Sequence, residues 1–236
     1  MKIRGFIVLT LFAATLLSCR KDCIEGSGTI ITEYFDATGF TAINTEGPFD
    51  IVIDTGYYEI SVEADRAFMP YIKFSQSGNT LNIYVSSNRC LDGIRPYIHI
   101  FAPDIGNITQ QGSGDIDCYD LYNNSITVNH EGSGDISLFN IDTYDAEVNL
   151  SGSGTVLLEG IGKSAVYTLS GSGYIKGLNF SVEYGEVYVP GSGEVYIDAY
   201  KDLYINISGS GTVFYRPTQL LEYHIPGSGD VIQINN

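Results

Sequence analysis

The chain has 236 residues, of which 28 are acidic and 12 are basic, so its net charge is −16 at neutral pH. A surface this acidic repels nucleic acid and anionic lipid headgroups, and we therefore expect no nucleic-acid partner. The length allows one elongated domain or two small ones.

The first 18 residues have the features of an export signal. Lys2 and Arg4 precede an apolar run, Phe6–Leu17, that is too short to span a bilayer comfortably. The run ends in Leu16-Leu17-Ser18-Cys19, which resembles the bacterial lipobox. This resemblance implies that residues 1–18 are removed and that Cys19 carries the acyl chains that hold the protein in a membrane. The alternative is an ordinary secretory signal with a chance cysteine.

Three cysteines remain after lipidation, namely Cys23, Cys90 and Cys118. In an oxidising compartment the simplest outcome is one disulfide and one spare thiol. The sequence does not assign the pair, although we favour Cys23–Cys90. A structural zinc site is not expected, because the chain has no Cys-x-x-Cys spacing.

Residues 29–105 contain short strand-like runs separated by turn signals. We interpret this region as an antiparallel β unit that caps the following repeats and is joined to Cys19 by a linker over residues 19–28. Asp65–Pro70 is compatible with one short helical turn. The predicted strands are Thr29–Tyr34, Phe49–Asp54, Glu59–Ala64, Tyr71–Ser75, Thr80–Val85 and Tyr97–Phe101.

Residues 106–236 are dominated by an evenly spaced Gly-Ser-Gly motif, with steps of 20, 20, 19, 20, 18 and 18 residues. A period of this size indicates one supersecondary unit repeated along an axis, whose apolar face is buried only by its neighbours. The seven copies begin at Gly112, Gly132, Gly152, Gly171, Gly191, Gly209 and Gly227.

Apolar residues alternate with polar ones on both sides of each motif, which is the period of a strand with one buried face. The fifth position of the repeat is β-branched and apolar in every copy. We expect glycine at the corner because it reaches positive φ without a Cβ clash. The fifth positions are Ile116, Ile136, Val156, Ile175, Val195, Val213 and Val231.

This pattern predicts an all-β chain that forms a right-handed parallel β-helix with about 20 residues per coil and an irregular N-terminal β cap. A repeat of this length has no room for a helix. The alternative is a β-propeller, but its blades need about 40 residues or more.

Several short segments resemble the putative auto-transporter adhesin head family, also called the GIN domain. They are Gly39-Phe40-Thr41-Ala42-Ile43, Pro48–Ile53, Thr80–Val85, Ile98–Pro103 and Gly112-Ser113-Gly114, and the similarity extends over about Thr29–Ile225. The resemblance implies a β-helical lipoprotein of the Gram-negative envelope with a role in adhesion. It supplies no catalytic residues.

An acidic column just after the glycines is a candidate metal site. Asp115 and Asp135 would lie about 5 Å apart on adjacent coils and could share a calcium ion with Asp117. The competing interpretation, which we favour, is a solvated aspartate beside a glycine turn. We therefore predict no cofactor, with calcium as the one candidate.

The chain has 18 tyrosines and no tryptophan. Tyr174, Tyr188, Tyr196 and Tyr204 occupy outward positions and form a candidate ligand face for glycan or protein. The competing explanation is the high strand propensity of tyrosine.

Gln110 and His130 occupy a column that is otherwise aliphatic. We expect them to be buried and to satisfy each other through a direct or water-mediated hydrogen bond.

We expect a non-catalytic outer-membrane lipoprotein that binds glycan or protein at a tyrosine-bearing face or at the solenoid end. Homo-oligomers through an exposed strand edge are a further expectation. A structural subunit of an envelope complex is the alternative function. A β-helical carbohydrate-active enzyme is disfavoured, because the repeats carry few basic residues and no long loops.

Overall fold

The computed structural model describes residues 23–86 and 89–235, which form a nearly all-β fold with 64% of the residues in strands. The predicted signal peptide and Cys19 lie outside the described residues. The strands are β1 (Ile24–Glu25), β2 (Ile30–Phe35), β3 (Ala42–Glu46), β4 (Asp50–Thr55), β5 (Glu59–Asp65), β6 (Ile72–Ser77), β7 (Thr80–Val85), β8 (Leu91–Asp92), β9 (Tyr97–Ala102), β10 (Asn107–Gln110), β11 (Ile116–Tyr119), β12 (Tyr122–His130), β13 (Ile136–Leu150), β14 (Thr155–Leu169), β15 (Tyr174–Tyr188), β16 (Glu194–Asn206), β17 (Thr212–Tyr215), β18 (Leu220–His224) and β19 (Asp230–Gln233).

The strands wind into a β-solenoid of about six turns with roughly 20 residues per turn. Each strand pairs in parallel with the equivalent strand of the next turn, as in the pairing of β13 with β14 and of β14 with β15. The predicted parallel β-helix is therefore confirmed. A single 3-10 turn, Met69–Tyr71, interrupts the strands near the position where a helical turn was predicted. Among the described residues, no helix has the length and apolar character needed to cross a membrane.

The core is a stack of the apolar columns that the repeat predicted. Val156 and Val195 are both 0% exposed, as are the equivalent residues of four other turns. Burial of such side chains contributes roughly 1.5–3 kcal/mol each, which explains why the column is apolar in every copy. Val231, on β19, is only partly buried, because among the described residues β19 pairs with β17 alone.

The N-terminal region is a mixed rather than an antiparallel unit, which corrects the sequence-based expectation. β3 pairs in parallel with β10, and β4 pairs in parallel with β11, so β3 and β4 form one more turn of the solenoid. β7 and β9 stack in parallel on the other side of that turn. Only β2, β5 and β6 add antiparallel pairings. The predicted boundary at residue 106 stays a prediction.

The extra turn has its own corner, formed by Gly47, Pro48 and Phe49. Ser113 N donates to Gly47 O at 3.3 Å, which is the bond that each later serine makes to the corner before it. Ile51 follows at the fifth position and is buried. This corner does not match the repeated motif, because proline and phenylalanine replace the serine and the second glycine.

The cysteines pair as we favoured, with Cys23 bonded to Cys90. The remaining thiol, Cys118, is buried in the solenoid core, and this burial raises its pKa above the ordinary value. A thiol that is both buried and protonated is a poor nucleophile. Cys118 therefore serves as a small core residue.

Tyr167 lies in the valine-rich column of the core with its hydroxyl 0% exposed and without a hydrogen-bond partner. The ring is accommodated because Gly177 on the next turn carries no side chain; a Cβ there would contact the tyrosine hydroxyl at 2.5 Å.

Tyr167→Phe is expected to leave stability unchanged or to raise it by up to about 1 kcal/mol, because it removes a buried hydroxyl that has no partner. Urea unfolding of the two proteins measures this difference. A loss of more than about 1 kcal/mol would mean that the hydroxyl has a partner, such as a buried water.

Candidate functional site

The Gly-Ser-Gly corners stack into a straight groove with a volume of about 1200 Å³. Ligand sites in proteins are concave and few, and this groove is larger than most of them. It runs from the Cys23–Cys90 bridge along the solenoid as far as Ser210. Besides the glycines and serines of the motif, it is lined by Glu46, Pro48, Val85, Arg89, Leu91, Gln111, Glu131, Ser151, Ser170 and Pro190.

The groove exists because the corner positions cannot carry side chains. A Cβ on Gly132 would overlap the carbonyl of Gly112, and a Cβ on Gly152 would overlap the carbonyl of Gly132. The expected reason, positive φ, is wrong for these seven copies: the glycines with positive φ are Gly28, Gly39, Gly47, Gly78, Gly93 and Gly160. Close approach of neighbouring turns explains the glycines instead.

The serine of each motif is held by its backbone and exposes its side chain. Ser133 N donates to Gly112 O at 3.1 Å, and Ser153 N donates to Gly132 O at 3.2 Å. The serine hydroxyls therefore repeat along the groove at the spacing of neighbouring strands, about 4.8 Å. This arrangement gives a straight row of small donors and acceptors.

Gln110 and His130 lie beneath the first two Gly-Ser-Gly corners and are fully buried. Each bonds to the second glycine of its own corner: Gln110 Nε2 donates to Gly114 O, and His130 Nε2 donates to Gly134 O at 2.6 Å. The expected direct hydrogen bond between the two side chains is wrong, because both donate to their own corner rather than to each other; the water-mediated alternative stays a prediction.

The carbonyl groups of Gly114 and Gly134 accept from these buried side chains, so they do not accept from the next turn. The aspartates outside the corner supply the missing acceptor for that turn. Asp115 Oδ1 accepts from Asp135 N at 2.9 Å, and Asp135 Oδ1 accepts from Thr155 N at 2.8 Å. In the later turns the second glycine supplies that acceptor itself, as when Tyr174 N donates to Gly154 O at 3.1 Å. A buried polar residue under the corner and an aspartate outside it therefore occur together.

Two of the three predicted calcium ligands, Asp115 and Asp135, therefore hold backbone amides of the next turn. Asp117 lies on the same face, and burial raises the pKa of its carboxyl group, with Asp115 and Asp50 adding to the shift. Among the residues that the structure describes, no group of three or more His, Cys, Asp or Glu side chains is placed to hold a metal ion. Calcium binding by Asp115, Asp135 and Asp117 stays a prediction.

The four predicted tyrosines point outward but lie on two different faces. Tyr188 and Tyr204 precede the corner on neighbouring turns, with ring centroids 6.0 Å apart. Tyr174 and Tyr196 follow the corner, where Tyr196 stacks on Phe214 at 4.7 Å. The hydroxyl of Tyr196 donates to Glu194 at 2.7 Å, and this hydrogen bond raises the pKa of Tyr196 to about 12. Tyrosines therefore flank the groove on both sides.

Sequence reasoning placed a ligand on the tyrosines and missed the groove between them. The sequence does contain a signal for the groove: the residue before the motif also has a short side chain in three turns, namely Ser151, Ser170 and Pro190. The corner columns thus combine short side chains over several turns, and such a column predicts a concave surface.

The lowered pKa of His130 makes stability depend on pH. Burial lowers this pKa below 6.5, although the backbone groups of Gly134 and Gln110 favour the protonated ring and oppose the shift. As the pH falls through about 6.5, the unfolded chain takes up a proton that the folded chain excludes, so the free energy of unfolding falls. The loss ends below the folded-state pKa.

We expect wild type to lose up to about 1.4 kcal/mol per pH unit more than His130→Gln between about pH 7.5 and about pH 5.5. Gln110 shows that glutamine makes the same bond at the neighbouring corner. Urea unfolding at several pH values measures the difference, and equal pH profiles for the two proteins would contradict it.

Comparisons with known proteins agree with this architecture. A family model described as putative auto-transporter adhesin, head GIN domain, matches residues 39–218. Among proteins with curated functions, none matches this chain. A family of adhesins suggests a place in the cell envelope or at the cell surface, and a role other than catalysis.

Three solved structures share the fold at low sequence identity. A putative adhesin from Bacteroides fragilis superposes with a TM-score of 0.85 at 20% identity, covering 89% of this chain and 100% of that one. A putative adhesin from Parabacteroides merdae gives 0.70 at 17%, covering 91% and 100%. A protein from Parabacteroides distasonis described as a putative lipid binding protein gives 0.73 at 21%, covering 90% and 99%.

The family model spans most of the chain, and it includes the extra corner at Gly47 and six of the seven Gly-Ser-Gly corners. The stacked corners, the parallel turns and this match lead to one conclusion: the chain belongs to the family of putative auto-transporter adhesins, as a head GIN domain.

Proposed function

We propose that this chain is a non-catalytic adhesin of the outer membrane, anchored through lipid on Cys19, that binds an extended glycan along the Gly-Ser-Gly groove. The observation that carries the proposal is the groove itself. It is straight, about 1200 Å³ in volume and floored by glycine. A chain of sugar rings has the shape and the hydroxyl groups that such a floor can accommodate.

The chemistry of the groove supports a neutral, hydroxyl-rich ligand. Serine hydroxyls both donate and accept, and Gln111 and Glu131 add an amide and a carboxylate joined by a hydrogen bond of 3.0 Å. The tyrosines on the flanking faces supply flat amphipathic rings at the sides. A protein ligand is the alternative, and the same small side chains would admit an extended polypeptide.

The composition of the groove walls supports a non-catalytic role. Glu46 and Glu131 are the acidic residues among the lining. They lie on β3 and after β12, two turns apart in the stack, so about 10 Å separates their strands. Arg89 is the one basic residue in that lining. The two carboxylates belong to strands that are not adjacent, and in the proposal they hold the hydroxyl groups of the glycan rather than cleave it.

The test is a glycan array probed with the lipid-free protein that begins after Cys19, together with an assay for released saccharide. We expect retention of one class of linear glycan and no release. Absence of binding to every glycan would favour the structural-subunit alternative, and release of saccharide would show an enzyme. Radiolabelled palmitate incorporation, lost in Cys19→Ser, tests the anchor separately.

A further inference from the structure

An apolar cleft at the N-terminal end of the solenoid lies between two strand edges that have no partner. Among the described residues, β2 pairs only with β5, and β6 pairs only with β7. The cleft between them has a volume of about 490 Å³. It shares no lining residue with the Gly-Ser-Gly groove.

The cleft exposes part of the hydrophobic core. Ile72 and Met69 form a buried floor, while Ile31, Phe35 and Phe74 are only partly buried. Phe35 and Phe74 contact each other with ring centroids 4.5 Å apart, so the two strands meet at that end. Unpaired strands beside exposed core side chains attract a further strand.

The rim of the cleft carries two cations. Arg66 and Lys73 are exposed, and neither belongs to an ion pair among residues 23–86 and 89–235. Glu33 is the one acidic residue of the lining. At physiological salt, charges more than about 8 Å away are screened, so the acidity of the whole chain does not cancel this local positive charge.

We propose that this cleft binds an extended polypeptide segment with alternating acidic and apolar residues, which adds a strand to the free edge of β2 or β6. Each strand has six residues, so the complementary segment is about 20 Å long. Backbone hydrogen bonds to the edge provide affinity, and alternate apolar side chains fill the cleft. The acidic side chains reach Arg66 and Lys73.

The probe is a synthetic peptide of about eight residues that alternates glutamate and valine, with blocked ends. Binding to residues 20–236 is measured by calorimetry, and amide hydrogen exchange shows where it binds. We expect slower exchange in β2 or β6 and at least about tenfold weaker binding to the Arg66→Glu/Lys73→Glu variant. Lys163→Glu/Lys176→Glu, on distant turns of the solenoid, is the charge-matched control and should bind within about twofold of wild type.

Two further peptides separate strand addition from other occupants. A version that is N-methylated at alternate residues should lose binding, because it cannot complete the ladder of hydrogen bonds, and a lysine–valine version should not bind. Equal affinity for the N-methylated peptide and the unmodified peptide would overturn the proposal. Displacement of the N-methylated peptide by dodecanoate would identify the cleft as an amphiphile site and would also overturn it. Absence of binding at about 1 mM, or peptide-independent dimerisation that buries β2 and β6, would also overturn it.

Discussion

Gly152→Ala is expected to lower the free energy of unfolding by about 3 kcal/mol, because the added methyl group has no space. A Cβ at this position would overlap the carbonyl of Gly132 on the previous turn. The two corners cannot move apart easily, because the strands that flank them, β12, β13 and β14, are held in parallel ladders along their length. Urea unfolding monitored by circular dichroism measures the loss.

Ser153→Ala is the matched control at the next residue. The serine side chain is exposed in the groove and only its backbone N–H bonds to the previous corner. We therefore expect a change within about 0.5 kcal/mol. If Gly152→Ala were as stable as Ser153→Ala, the stacked corners would be further apart than the structure places them.

His130→Leu is expected to cost about 2 kcal/mol, because it leaves the buried carbonyl of Gly134 without a donor. Asp135→Thr should cost about 1 kcal/mol, since Thr155 N loses its acceptor. The double variant reproduces the arrangement of the later turns, in which an aliphatic residue lies under the corner. The carbonyl of Gly134 can then turn outward and accept from Thr155 N, as Gly154 O accepts from Tyr174 N.

The double variant should therefore be more stable than the sum of the single losses predicts, by about 1–2 kcal/mol in a double-mutant cycle. His130→Gln is the control that keeps the donor, and we expect it to unfold within about 1 kcal/mol of wild type near neutral pH. Additive losses would contradict the claim that the inner and outer columns share one peptide carbonyl.

Much of the fold was predictable from the sequence, because each copy of the repeat has the same type of residue at a few fixed positions. The fifth position of the motif identified the core, and Val156 and Val195 are buried as predicted. Each predicted N-terminal strand is also present, with ends within about two residues. These features depend on local alternation of apolar and polar residues, which a single sequence contains.

The N-terminal topology was not predictable, because it depends on which strands meet. The segment from β3 to β4 continues the solenoid, yet its corner, Gly47-Pro48-Phe49, does not match the Gly-Ser-Gly motif. The chain then adds β5 to β9 outside this turn before it returns to β10 on the other side. Alternation within a strand does not specify its neighbours, so parallel and antiparallel partners looked alike.

The candidate site was predicted only in part. Outward tyrosines follow directly from strand alternation, and all four are at least partly exposed. The groove depends on how close the corners stack, which is a property of neighbouring turns. The aspartates looked like ligands for a cation because the sequence does not show the amide groups of Asp135 and Thr155 that bond to them.

The most direct test of the proposed groove is the affinity of a retained glycan for Ser153→Phe compared with Thr127→Phe. Ser153 lines the groove, whereas Thr127 lies outward on β12 and does not. We predict that Ser153→Phe weakens binding by at least about tenfold and that Thr127→Phe leaves it within about twofold of wild type. Equal affinity for both variants would show that the glycan does not lie along the Gly-Ser-Gly corners.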